Sequence, residues 1–64
     1  MRTLSATCLA IAIAHKNGSL RLVERASRFG GTFIAMEDDH GLIEVQANME
    51  DANLRIAAII KRAA

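Results

Sequence analysis

The stretch that decides the fold is LAIAIAHKNGSLRLVERASRFGGTFI, residues Leu9–Ile34. It opens with Leu9, Ile11 and Ile13 at alternate positions, with Ala10, Ala12 and Ala14 between them. Strict alternation of large and small apolar residues is the pattern of a central strand, and it predicts strand 1 over Ser5–Ala14. A buried helix can also produce an apolar run of this length, but the Ile-x-Ile spacing favours a strand. The polar loop His15–Gly18 follows. Asn17 or Ser19 can then cap a helix over Leu20–Phe29, because their side-chain oxygens accept from free backbone N–H groups. In that helix Leu20, Val23, Ala26 and Phe29 form the buried stripe, and Glu24 and Arg28 pair at i,i+4. Gly30 and Gly31 supply the left-handed stop.

Beyond this unit, Thr32–Glu37 predicts strand 2. Asp38-Asp39-His40-Gly41 has the composition of a hairpin turn. Leu42–Ala47 predicts strand 3, with Ile43, Val45 and Ala47 on one face and Leu42, Glu44 and Gln46 on the other. Asn48 caps a second helix, with Asp51 at the third position as a variant capping box. Met49, Ala52, Ile56, Ile59, Ile60 and Ala63 form its apolar stripe. Asp51 and Arg55 are spaced to pair, and Lys61-Arg62 suit the negative end of the helix. The expected order is β-α-β-β-α in one domain spanning residues 1–64, of class α+β. The right-handed crossover rule makes it a two-layer α/β sandwich with both helices on one face. It is a ferredoxin-like plan lacking the fourth strand, so one sheet edge is left unpaired.

Composition narrows the function. The chain has 64 residues, of which 52% are hydrophobic, and a net charge of +1. A chain this short buries only about 60% of its unfolded surface. The surplus of apolar residues therefore predicts a homodimer through the sheet edge or the open sheet face, or a place in a larger complex. The near-neutral charge gives no general attraction to nucleic acid. Arg21, Arg25 and Arg28 cluster, but Glu24 dilutes them and a solvated helix face is the simpler reading. With no Tyr or Trp, and Phe29 and Phe33 assigned to the core, base stacking has little to work with. The single cysteine, Cys8, excludes an internal disulfide and fits a small buried hydrophobe in a reducing compartment.

No run reaches the length of a membrane span. Arg2, the apolar run and Ala12-Ile13-Ala14 imitate a signal peptide. Removing residues 1–14 would delete the best strand candidate, however, so the segment is read as the first strand of a cytoplasmic protein. Glu37, Asp38, Asp39 and His40 lie in one turn and are read as a solvated hairpin rather than a metal site. His15 and His40 are the only histidines. No set of nucleophile, base and orienting group can be named, so the chain is read as a non-enzyme with no cofactor.

The sequence resembles an ACT domain, a small ferredoxin-like regulatory module commonly attached to enzymes of amino-acid metabolism. Leu9-x-Ile-x-Ile runs into a polar loop and then Gly18-Ser19-Leu20. Gly31 follows thirteen residues after Gly18 and leads into Phe33-Ile34. Leu42-Ile-Glu-Val matches the family's third strand, and Asn48-Met-Glu-Asp-Ala resembles the start of its second helix. The departures are Asn17, where the family commonly has proline, and the absent fourth strand. Within the family the chain is most similar to the short small subunits of acetohydroxyacid synthase, which activate a larger catalytic subunit. The resemblance implies an amino-acid effector at a dimer interface, on Asn17, Gly18, Ser19 and Leu20. A glycine allows close approach to the backbone, and a helix N-terminus favours a carboxylate. A turn glycine beside a capping serine is the competing explanation of the same residues.

A weaker resemblance is to HPr, the phosphocarrier protein of the sugar phosphotransferase system. His15, followed by Leu22-Val23, Ala26 and Phe29, stands where that family has its phosphoryl-accepting histidine at a helix start. Asn17 and Gly18 replace the Arg and Pro of that motif. A small protein that binds or inhibits a larger one through its sheet face or edge is the third class left open.

Overall fold

The computed structural model describes residues 4–63. The elements are α1 (Ala6–Asn17), β1 (Arg21–Ala26), β2 (Thr32–Asp38), β3 (Gly41–Gln46) and α2 (Met49–Ala63). The protein is thus α+β, with two helices and one antiparallel sheet ordered β1-β2-β3. The order is α-β-β-β-α, so the first two expected elements exchange character. The sheet is a simple meander with no parallel crossover.

The segment expected as strand 1 is helix α1. Ser5 is its N-cap, and its hydroxyl accepts from the Cys8 N–H at 3.1 Å. Gly18 ends it in the left-handed conformation at φ 75°. Five of the nine residues from Ala6 to Ala14 are not β-branched or aromatic but alanine or cysteine, and alanine is the strongest helix former. Cys8, Ile11 and Ala14 turn inward at three-residue spacing. Leu9 and Ile13, which alternation had placed on the same face as Ile11, turn outward instead. Arg2, the basic residue of the signal-like pattern, lies outside the described residues.

The segment expected as helix 1 is strand β1 and the hairpin after it. Leu22 pairs with Met36 and Val23 with Ala35 along β2. Residues 27–31 make the turn. Within it Ser27 N–H donates to Gly31 O at 3.0 Å, and Gly30 N–H donates to Ser27 O at 3.2 Å. Gly30 and Gly31 have φ of 99° and 72°, so their positive-φ role is kept but serves a hairpin, not a helix stop. Phe29 sits at the turn, 92% exposed, and not in the core. Phe33 is only half-buried. The expected Glu24–Arg28 pair is replaced by Arg25 with Glu37 at 2.6 Å and Arg21 with Asp39 at 3.1 Å.

The elements of the second half follow the sequence reading, although Met49 and Ala63 of the expected α2 stripe are exposed. β2, the Asp38–Gly41 hairpin, β3 and α2 lie where periodicity put them. Asn48 caps α2, and its Oδ1 accepts from the Asp51 N–H at 2.8 Å. One detail differs in β3. Met36 faces Glu44 while Glu37 faces Leu42, so Ile43 is an extra residue in the ladder. The bulge breaks the expected alternation. Ile43 packs against the core, and Glu44 beside it bonds to a residue of α2.

Both helices pack on one face of the sheet. The core joins Cys8 and Ile11 of α1, Met36 of β2 and Ile59 of α2, with Leu20, Leu22, Ile43 and Ile56 around them. Ile11, Met36 and Ile59 are its largest fully buried side chains. Each such burial stabilises the fold by roughly 1.5–3 kcal/mol. The core is small.

Candidate functional site

Asn17, Gly18, Ser19 and Leu20 are contiguous in space, but they lie at the C-terminus of α1 and not at a helix start. Their N–H groups are occupied. Gly18 N–H donates to His15 O at 3.2 Å, Ser19 N–H to Ala14 O at 2.9 Å, and Leu20 N–H to Ala14 O at 3.2 Å. The Ser19 hydroxyl also donates to Ala14 O, at 3.4 Å. The partial charge at this end of a helix is negative. The physical grounds for a carboxylate site here, free N–H groups and a positive helix end, are therefore corrected. What remains is a well-satisfied helix stop, with Leu20 packed against the core.

His15 is exposed in the last turn of α1. That end of the helix does not supply the N–H groups that stabilise a phosphoryl group at a helix start. Asp38, Asp39 and His40 form the hairpin tip. Asp38 Oδ1 accepts from the His40 N–H at 2.8 Å, and Arg21 donates to Asp39 Oδ1 at 3.1 Å and to Asp38 O at 2.8 Å. These carboxylates are tied into turn geometry. Among the described residues no three His, Cys, Asp or Glu side chains gather as a metal site. No helix there is long and apolar enough to cross a membrane.

The sheet face turned away from the helices carries Val23, Ala35 and Val45 in one cross-strand row. Ions guard it. The Arg25–Glu37 pair spans the row diagonally, from two residues beyond Val23 on β1 to two beyond Ala35 on β2. Ala35, the smallest member, is fully buried beneath it. The two sheet edges are also blunted. β1 carries Arg21, Glu24 and Arg25, and β3 carries the bulge.

The helical layer is different. In α1 the residues opposite the core are Ala6, Leu9, Ile13 and Lys16, with Leu9 and Ile13 about half exposed at 48% and 51%. No charged residue occurs in α1 before its last turn. A helix apolar on all sides is one that expects cover on all sides. In α2 the outward residues include Leu54, 62% exposed. Cys8 meets Arg55, and Ala12–Lys16 share a groove with Ile60 and Ala63. The helices therefore run side by side in the same direction. Sequence reading missed this surface because it had made α1 a strand. The signal was there in the Ser5 and Gly18 that bracket the apolar run as a pair of caps.

Between the layers, Arg55 of α2 bonds to Glu44 of β3 through Nε at 3.0 Å and Nη2 at 3.2 Å. The guanidinium holds the Glu44 carboxyl below its ordinary pKa, against partial burial, which raises it. Arg55 is held further up by the same bond. The contact joins helix to sheet. No protein-family model matches the chain, and no curated protein or solved structure is significantly similar to it.

Proposed function

We propose that this chain is a non-catalytic protein-binding module that works as a homodimer, joining two copies through the helical layer. The observation that carries the reading is the outer side of α1. Leu9 and Ile13 stand half exposed on a helix with no charge before its last turn, and Leu54 of α2 is exposed as well. The helical layer is favoured over the open sheet face because ion pairs cross that face, and over the edges because charges or a bulge blunt them. Covering the layer with a second copy removes apolar surface that a core this small leaves outside.

An ACT-like role, in which such a dimer regulates a larger enzyme in response to an amino acid, is the more specific form of this reading. Its support is the spacing of glycines and apolar residues in the sequence; the observed α-β-β-β-α order departs from the β-α-β-β-α order of that family, so the ferredoxin-like comparison does not extend to the topology. The test is solution mass by light scattering over a range of concentrations. A dimer is expected for the native chain, and a folded monomer for Leu9→Gln with Ile13→Gln. A native chain that stays monomeric at high concentration overturns the reading.

A further inference from the structure

The outer side of α2 has an order that α1 lacks. At about 100° per residue, Glu50, Leu54, Ala57 and Lys61 fall within an arc of about 60°. All four are exposed, and the arc lies opposite the buried Ala52 and Ile59. The stripe is symmetric in position and opposite in charge. Glu50 stands at its N-terminal end and Lys61 at its C-terminal end, about 16 Å apart along the axis. Neither is ion-paired among the described residues. The residues one turn inward along the stripe are Leu54 and Ala57, apolar in both cases. The rest of the layer shares the polarity, with Glu50 and Asp51 at one end of α2 and Lys61 and Arg62 at the other. Because α1 runs in the same direction, Lys16 joins the basic end.

We infer that two copies of this chain pack α2 against α2 antiparallel about a two-fold axis between Arg55 and Ile56. The inference rests on the self-association reading and names its contact and register. In this register Glu50 meets Lys61 of the second copy, and Leu54 meets its Ala57, each contact occurring twice by symmetry. Ala57 and Ala58 leave room for Leu54 to seat. Antiparallel docking also sets the acidic end of each helix beside the basic end of the other. A parallel arrangement places Glu50 against Glu50 and Lys61 against Lys61, which like-charge repulsion disfavours. Leu9 and Ile13 flank the contact and extend its apolar strip.

The experiment is a charge exchange read by analytical ultracentrifugation. Glu50→Lys alone gives two Lys–Lys contacts, and Lys61→Glu alone gives two Glu–Glu contacts. Each variant is expected to dimerise at least tenfold more weakly than the native chain. An equal mixture of the two forms hetero-dimers in which both contacts are again opposite in charge, and it is expected to recover near-native association. Two outcomes overturn the register while leaving self-association standing: a native dimer indifferent to either reversal, or a mixture that does not recover. A native chain that is monomeric overturns both. If a reversal unfolds the chain, the salt dependence of the native dimer decides. Association that weakens as salt rises supports the paired ends, and association that strengthens or is unchanged overturns them.

Discussion

Arg55 of α2 and Glu44 of β3 form a forked ion pair, Nε to Oε2 at 3.0 Å and Nη2 to Oε1 at 3.2 Å, while the same Nη2 lies 3.4 Å from Cys8 Sγ of α1. One guanidinium thereby touches both helices and the sheet. Sequence spacing pairs Arg55 with Asp51, one turn earlier, but Asp51 is engaged with the cap at Asn48. The bulge at Ile43 helps bring Glu44 within reach. A two-armed contact to a carboxylate is stronger and more directional than a single one.

This pair sets an acid limit on stability. The folded-state pKa of Glu44 lies below the ordinary 4.5, chiefly because of the bond from Arg55. A lowered carboxyl contributes stability that is complete above the unfolded value and is lost as pH falls through the folded one. Melting temperature should therefore drop below about pH 4.5 in the native chain. Glu44→Gln should be less stable at neutral pH by roughly 1 kcal/mol, given the partial exposure of both partners, and should show a shallower acid slope. An unchanged slope in that variant removes Glu44 as the cause.

Phe29 separates a helix from a hairpin over residues 20–31. At 92% exposure it contributes nothing to the core, so Phe29→Ser should change stability by no more than about 0.5 kcal/mol. In a helix buried through Leu20, Val23, Ala26 and Phe29, the same substitution would cost about 3 kcal/mol or more. A chemical denaturation curve reads the difference directly.

Ile59 and Ile11 are the positions where the small core is most exposed to damage. Both are fully buried, from different helices. Either one changed to Ala should cost about 2–5 kcal/mol, a large share of the stability of so short a chain. Loss of the cooperative thermal transition is the expected result. A variant that melts like the native chain contradicts the packing described.

Gly18 tests the stop of α1. Its φ of 75° is the left-handed conformation, and an added Cβ would meet nothing within 4 Å. Gly18→Ala should therefore cost about 1 kcal/mol through backbone conformation alone, and Gly18→Asn less, because Asn tolerates this region better. Equal losses for the two would point to a steric cause instead. If an amino acid raises the melting temperature of the native chain and Ser19→Ala abolishes the rise, the effector reading of Asn17–Leu20 gains direct support.

The sequence by itself determined the second half of the protein. The Thr32–Glu37 strand, the Asp38–Gly41 turn, the Asn48 cap and the 3.6-residue stripe of α2 agree with one another, and each is a local signal. It also placed the breaks at Gly18 and at Gly30-Gly31, where backbone chemistry demands a glycine whichever elements meet there. The character of the elements on either side was decided by tertiary structure. From Cys8 to Ala14 every residue is apolar, so a period of two and a period of 3.6 fit equally well and nothing polar tells them apart. From Leu20 to Phe29 two apolar patterns overlap. The one realised is fixed by pairing with β2, which brings Leu22 to Met36 across the turn at residues 27–31. The same is true of the candidate surface. Leu9 and Ile13 become an outer stripe only once Ile11 and Cys8 have been drawn into a core shared with Met36 and Ile59.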